Sequence, residues 1–490
     1  MLEFVLAPDD ADRLLRLKPL LELRAGRIRR RANGLVWHDT ADGALALDGL
    51  TLVQSGGAWQ LELLAPGAGL WSPGVPPPVI EQAVSLDQIN RPLPAGLIQV
   101  ARFNGVQSVL PLRRDGAAMT LTLLHGTVGT ARRRRPASRV TLTGEATAVI
   151  DLALALTEHV DLAIPIASLA AEARAVATAT AAAPRRRGPP QLPGGLPTGL
   201  SVPDAFSYVV GHLVDVILGN APLAAAARDG PDPVHEMRVA VRRLRSTLAL
   251  FRPAIGCPAV DAASILLKSL AERLAPCREW DVFVTETVAA VATALPDDPA
   301  LRRLSIAAER RRRQAYTALR DWLRSTAFRR SGISLAGLAG DRAWLPQPQP
   351  SQMEAQIRGL DDFARHALAR RLRKLNVAGA PVEQLDPTAL HALRLRAKRM
   401  RYAAEVFAPL YPGRATRRFL RRLATLQDRL GHLNDGTAAN PLLADLGATT
   451  GARAHAAGLV LGFLAARADI ARGRIGQAWK RFHHLPPFWR

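Results

Sequence analysis

The sequence is poor in several residue types, and each shortage excludes a class of protein. Only two cysteines, Cys257 and Cys277, occur in 490 residues, so a disulfide framework and a cysteine-based metal site are excluded and a reducing compartment is favoured. The N-terminus lacks a basic start followed by a long apolar run, which argues against a signal peptide. The most apolar windows, near 149–170 and 457–466, are interrupted by charge or too short to span a bilayer. We therefore expect a soluble, cytoplasmic protein without a membrane partner.

Acidic residues are scarce relative to basic ones. The chain contains 65 Lys+Arg against 42 Asp+Glu, a net charge of +23. Residues 1–180 carry 18 bases and 17 acids, so nearly all of the excess lies after residue 180. A strongly basic balance indicates an anionic partner such as nucleic acid, an acidic membrane surface or another polyanion. The charge distribution assigns that partner to the C-terminal part of the chain.

Residues 1–180 show short apolar stretches separated by turns, which predicts an α+β domain built on an antiparallel sheet or β-barrel. The expected strands are Leu50–Val53, Gln60–Leu64, Met119–Leu124 and Val140–Leu142, and helices are expected near Pro8 and Ala146. The first two strands flank a Gly-Gly turn and form a predicted hairpin. Residues 181–200 are rich in Pro, Gly and Arg, a composition typical of an interdomain linker.

From residue 201 onward the strand signals give way to long amphipathic stretches, which predicts an all-α domain of helical bundles over 201–490. The predicted helices are 203–227, 233–252, 260–276, 280–295, 299–330, 354–376, 388–408, 414–434 and 450–482. An internal repeat divides this domain into about 201–345 and 346–490. The repeat is indicated by a constant offset of 156 residues between the two halves, which aligns Leu270 with Leu426 and Phe251 with Phe407.

Two predicted helices carry the same row of cations, one in each half of the repeat. The rows are His235, Arg238, Arg242 and Arg245 in the first half and His391, Arg394, Lys398 and Arg401 in the second. The spacing i, i+3, i+7, i+10 places each row on one face of a helix, beside the apolar seam. Glu236 is the only acid in the two motifs, so the cations need a counter-charge from elsewhere.

Two sources of that counter-charge are open. Acidic residues on neighbouring helices could neutralise the cations in a structural role. The candidates are Glu272, Glu279, Asp281, Asp428 and Asp435. Alternatively, the two rows could face each other and bind an extended anion, because each row is about 15 Å long at about 1.5 Å per residue and arginine forks suit phosphate oxygens.

The motifs favour binding over catalysis. They contain no metal-ligand spacing and no pair of nucleophile and base, so we expect no catalytic residue, no metal and no cofactor. Nucleic acid is a second candidate for the anion. It is less favoured because aromatic residues make up 5% of the chain and the cationic rows contain almost none for stacking bases.

At these residues the chain resembles the CHAD family, the conserved histidine α-helical domain. The resemblance covers roughly 200–485 and rests on four motifs in order. They are His235-x-x-Arg238 with Arg242-Arg243-Leu244-Arg245, Arg278-Glu279-Trp280-Asp281-Val282, His391-x-x-Arg394 with Lys398-Arg399-Met400-Arg401-Tyr402, and the stretch 426–435. One departure is Glu279, where the family usually has Asp.

The resemblance implies a function and a set of ligand residues. It implies two pseudo-symmetric four-helix bundles around a basic channel that binds inorganic polyphosphate, in a bacterial-type cytoplasmic protein. Some members are found on polyphosphate granules. The implied polyphosphate-binding residues are His235, Arg238, Arg242, Arg243, Arg245, Lys268, Arg278, His391, Arg394, Lys398, Arg399 and Arg401.

The N-terminal part is similar to the CYTH, or triphosphate tunnel, family, a common fusion partner of CHAD domains. The likeness is carried by His38-Asp39-Thr40 with Gly43, Leu47, Leu50 and Trp59. That family holds a divalent metal with clustered carboxylates. Here the entry strand keeps only Glu3, the later acidic strand begins with Arg139, and the basic tunnel positions are Thr51, Val53 and Leu64. We therefore expect a degenerate, non-catalytic domain, and the alternative is a metal-dependent inorganic triphosphatase.

Overall fold

The N-terminal part of the computed structural model is an eight-stranded antiparallel sheet. The model describes residues 2–64, 84–85, 94–165, 167–180, 195–197, 199–226, 231–341, 348–376, 382–433, 435–448 and 450–490. The strands are β1 Leu2–Val5, β2 Arg29–Asp39, β3 Leu50–Ser55, β4 Ala58–Leu63, β5 Val84–Ser85, β6 Ile98–Arg114, β7 Ala117–Gly129 and β8 Arg134–Gly144. They lie in the order β1-β8-β7-β6-β2-β3-β4-β5 and curl into a half-barrel.

Short helices cover the sheet. They are α1 Ala11–Leu14, α2 Lys18–Glu22, α3 Ala44–Leu47, α4 Ala146–Leu156 and α5 Leu169–Thr178. Helix α4 packs against β7 and β8, and α5 packs against β6, β7 and β8. Beneath α5, a core of buried apolar side chains includes Trp37, Phe103, Val128 and Ala173. The face of the sheet under α5 is therefore filled by packed side chains.

The remainder of the described chain is helical. The helices are α6 Val202–Ala226, α7 Pro231–Ile255, α8 Pro258–Val282, α9 Ala289–Ala294, α10 Pro299–Leu323, α11 Thr326–Asp341, α12 Pro350–Ile357, α13 Leu360–Asn376, α14 Pro387–Phe407, α15 Arg414–His432, α16 Asp435–Asp445 and α17 Gly451–His483. A π-helical turn, Phe283–Val288, joins α8 to α9. An antiparallel sheet followed by a helical region confirms the predicted fold class.

The structure differs from the predicted elements at a few places, each with a local cause. Strand β2 was not predicted because it starts with three arginines, and β6 was not predicted because it contains Pro111, a residue uncommon inside strands. The predicted helix 299–330 is split into α10 and α11 at Ser325, whose hydroxyl accepts a hydrogen bond from the Phe328 N–H. The predicted helix 354–376 is split into α12 and α13 at Arg358, which has an extended backbone.

The chain divides into two compact units. The first comprises Met1–Gly188, Val210–Leu223 and Trp322–Leu345, and the second comprises Pro189–Val209, Ala224–Asp321 and Pro346–Arg490. The predicted linker, 181–200, lies mostly outside the described residues, and the domain limits stay a prediction.

Helices α6 and α17 are long and apolar enough to span a membrane by length and composition alone. In α6, 78% of the most apolar window is buried inside the structure, and in α17 the buried share is 28%. A core helix meets the same criterion when its whole surface is apolar, which accounts for α6. The expectation of a protein without a membrane partner stays a prediction.

A candidate anion-binding site on two helices

Helices α7 and α14 carry the two cationic rows, and local sequence signals set where they begin. Asp386 caps α14 by accepting a hydrogen bond of 2.8 Å from the Ala389 N–H, and Pro387 occupies the first turn. The apolar seam of α7 is buried as predicted, at Val234, Met237, Val241, Leu244, Leu248 and Phe251. Because this seam fixes the rotation of the helix, it also fixes the direction of the cationic row beside it.

Helices α7 and α14 pack on each other inside the second unit. The rings of Phe251 and Phe407 lie 5.7 Å apart, and Phe363 of α13 stacks on Phe251 at 5.3 Å. Phe251 and Phe407 are the residues that the 156-residue offset pairs. Contact between equivalent residues is expected near an approximate twofold axis.

The cationic rows come together in a central cluster, formed by His235, Arg238 and Arg242 of α7, Arg278 of α8, and Arg394 and Lys398 of α14. Its clearest sign is Lys398, whose pKa falls to about 8. The largest cause is burial, followed by the positive charges of Arg394, Arg242 and Arg238. Since the last two belong to α7, side chains from both helices share one electrostatic environment.

The α7 members of the central cluster show the same effect. Burial and then the charge of Arg242 lower the pKa of Arg238, with Glu279 acting in the opposite direction. Burial and then Arg278 lower the pKa of His235, so its imidazole is neutral at pH 7 and can donate one ring N–H. The Nε of Arg242 is buried and has no hydrogen-bond partner among the described residues. Desolvation and the repulsion between cations thus lower the pKa values of His235 and Arg238, as they do for Lys398.

Two cations next to the central cluster share one carboxylate. Glu405 accepts hydrogen bonds from Arg243 at 2.6 Å and from Arg401 at 2.7 Å. Arg401 also donates to Gln427 at 3.1 Å. Glu405 was not among the predicted counter-charges, although its i, i+4 spacing from Arg401 is a sequence signal for such a pair.

Buried Tyr402 lies against both groups of cations. The guanidinium groups of Arg242 and Arg243 lie 5.4 and 5.9 Å from its ring centre.

One member of the central cluster, Arg278, has an acidic partner, and four further predicted ligands are not part of the cluster. Arg278 forms an ion pair of 3.2 Å with Glu286. Lys268 is exposed and lies 4.0 Å from Glu272 on its own helix. Arg245 and His391 are exposed. Arg399 lines a separate pocket between α13 and α14.

Comparison with known proteins finds a family match for the helical part of the chain. Residues 209–444 match the family model of the CHAD domain. The chain carries a CHAD domain. A crystal structure of the CHAD domain from the plant Ricinus communis is 26% identical with a TM-score of 0.52, covering 61% of this chain and 98% of that one. PptA from Streptomyces chartreusis is 19% identical with a TM-score of 0.42, covering 57% and 100%. No curated protein matches the chain.

Within the CHAD domain, the predicted counter-charge Asp281 has a different role. Its buried carboxylate accepts hydrogen bonds from the Tyr316 hydroxyl at 2.8 Å and from Arg312 at 3.1 Å. Arg312 is also bound to Glu309 at 2.8 Å. This network lies beside a core that includes Trp280. Asp281 therefore stabilises the packing of α8 on α10.

The N-terminal sheet brings carboxylates together around an arginine. Buried Arg139 of β8 lies 3.8 Å from Glu3 of β1 and forms an ion pair of 2.9 Å with Glu172 of α5. Glu62 of β4, which sequence reasoning missed, has its pKa raised by burial and then by the charge of Glu3. Across the residues that the structure describes, no group of three or more His, Cys, Asp or Glu side chains is arranged to hold a metal ion. Arg139 supplies the positive charge that balances Glu3 and Glu172.

Proposed function

We propose that the CHAD domain binds inorganic polyphosphate through the central cluster. The observation that carries this proposal is the position of Lys398 of α14 in the field of Arg238 and Arg242 of α7. Two helices contribute to one concentration of partly buried positive charge, and one neighbouring acid, Glu405, is already bound to Arg243 and Arg401. Partly buried cations of this kind are stabilised when an anion supplies the missing charge.

The shape of the cluster favours an extended anion. On α7 the cluster extends from His235 to Arg242, about 10 Å at about 1.5 Å per residue, which exceeds the size of a single phosphate group. Arginine presents a planar fork that can bind two phosphate oxygens, while Lys398 contributes a point charge. A flexible chain of linked phosphates can contact both rows in turn.

The surroundings of the cluster favour polyphosphate over nucleic acid. Single-stranded nucleic acid is usually bound by stacking bases on exposed aromatic rings. The aromatic side chain beside the cluster is Tyr402, which is buried and covered by Arg242 and Arg243. Its ring is therefore not free to stack with a base, whereas phosphates need only the cations.

A competition measurement tests this choice. Labelled long-chain polyphosphate bound to the full chain should be displaced by unlabelled polyphosphate and, at equal phosphate concentration, only weakly by duplex DNA. Binding should weaken steeply with added salt, because neutralised charges release counterions. If duplex DNA displaces the label as well as polyphosphate does, the anion is a nucleic acid and the proposal is wrong.

The proposal also covers location and partners. We infer a cytoplasmic protein that can associate with polyphosphate granules, since that is where such a ligand accumulates, with no membrane partner and no cofactor required.

A further inference from the structure

A second concentration of cations surrounds a pocket of about 300 Å³ in the second unit. We call it the second basic pocket, and its lining residues are Arg371 and Lys374 of α13 and Arg396 and Arg399 of α14. The volume lies at the lower end of the range for small-molecule sites. Helices α13 and α14 pack against each other, so each supplies one wall.

The second basic pocket is separate from the central cluster. At about 100° per residue, Arg396 and Arg399 point about 150° around α14 from the mean direction of Arg394 and Lys398. The buried seam of α14, which includes Leu393, Ala397 and Met400, occupies the sector between them on one side. Helix α14 thus presents cations on two different faces.

Among the described residues, no acid forms an ion pair with a cation of the second basic pocket. By contrast, Arg365 on the same helix α13 forms an ion pair with Asp361. The Nε of Arg371 is buried and has no hydrogen-bond partner in the described part of the chain. The pKa of Arg371 is lowered by burial first and then by the charges of Arg370 and Arg399.

The helix dipole explains the position of only one of these four cations. Lys374 lies in the last turn of α13, where a cation is stabilised by the negative end of the dipole. Arg371 precedes it by almost a turn and lines the pocket, and the two α14 arginines lie well inside their helix. A general preference for cations at helix ends therefore does not account for the pocket.

We propose that the second basic pocket binds a compact anion made of two or three linked phosphoryl groups, as in tripolyphosphate or the triphosphate of a nucleotide. Each helix offers two cations about 4.5 Å apart along its axis, a spacing set by three residues. Such paired donors from two facing walls suit a short, highly charged anion, and arginine forks can bind its terminal oxygens. This inference does not depend on the polyphosphate proposal for the central cluster.

Calorimetric titration of the full chain with tripolyphosphate tests the pocket. The variant combining Lys374→Ala and Arg399→Ala removes one exposed cation from each wall and should weaken tripolyphosphate binding at least tenfold. The matched control, Lys480→Ala with Arg481→Ala, removes the same charges from exposed positions on α17 and should change the affinity less than twofold. A parallel titration with ATP identifies the source, because tighter binding of ATP indicates a nucleotide and tighter binding of tripolyphosphate an inorganic anion.

The outcome distinguishes this pocket from the central cluster. If tripolyphosphate binding is unchanged in the Lys374 and Arg399 variant but lost when Arg238 and Lys398 are replaced by Ala, the compact anion belongs to the central cluster and the second site is wrong. If long-chain polyphosphate fails to bind while the Lys374 and Arg399 variant still loses tripolyphosphate, the second site stands and the proposed function fails.

Discussion

Replacement of Arg238, Arg242, Arg394 and Lys398 by Ala in one variant is expected to weaken long-chain polyphosphate binding at least about 1000-fold, or about 4 kcal/mol. A hydrogen bond to a charged group contributes about 1.5–3 kcal/mol, and four such contacts do not add fully because the cations repel each other in the free protein. The salt dependence should also become shallower by about 0.7 per lost contact, the value typical of single-stranded polyanions. Fluorescence anisotropy at several salt concentrations measures both quantities.

A matched control separates this effect from the loss of net charge. The control replaces four exposed cations on α17 by Ala, namely Arg472, Arg474, Lys480 and Arg481. Like the cluster variant, it loses three arginines and one lysine. This control should weaken binding by less than about tenfold, through the general field alone. The cluster variant should remain folded, because it loses cations that are desolvated and repel each other. Equal losses in the two variants would show that binding follows net charge and not the cluster.

Replacement of Asp281 by Ala is expected to destabilise the CHAD domain by about 3–5 kcal/mol. Asp281 is 2% exposed and binds both Arg312 and Tyr316, so its removal leaves a buried phenol without its acceptor and takes one carboxylate partner from the Arg312 guanidinium. The milder Asp281→Asn should cost about 1–3 kcal/mol, because it keeps one acceptor and loses the charge. Urea denaturation of the full chain measures both values.

The control variant for Asp281→Ala is Glu272→Ala on the same helix, α8. Glu272 is exposed and only 4.0 Å from Lys268, so its loss should change stability by less than about 0.5 kcal/mol. An Asp281→Ala protein as stable as the Glu272→Ala protein would contradict the structural role assigned to the network.

The repeat and the apolar seams made most of the helical fold predictable. Nine helices were expected after residue 201, and the apolar period located most of them because each helix must bury one face. The predicted break between 260–276 and 280–295 was wrong, because α8 continues through the π-helical turn into α9. The 156-residue offset made Phe251 and Phe407 equivalent residues of the repeat, and their rings lie 5.7 Å apart. Breaks at Ser325 and Arg358 were missed, since a short interruption leaves the apolar pattern on both sides almost continuous.

The candidate site was predictable in outline and not in detail. Spacing placed His235, Arg238 and Arg242 on one face, but it could not show which cations find a partner on another helix. Glu405 binds Arg243 across 162 positions of sequence, and Arg399 turns to a different face from Lys398. Such pairings depend on helix rotation and packing, which a single sequence does not specify residue by residue.

The pKa of Lys398, measured in the free and polyphosphate-saturated full chain, tests the central claim most directly. The chain has five lysines, so NMR of protein with labelled lysine gives few signals, and Lys398→Met identifies the relevant one. The free protein should show a pKa near 8, lowered by burial and by Arg394, Arg242 and Arg238. Bound phosphates favour the charged amine, so saturation should raise the pKa above its ordinary range. Binding near pH 9 should then take up a proton and weaken as the pH rises from 8. A Lys398 pKa that stays the same while polyphosphate binds would show that the ligand lies elsewhere.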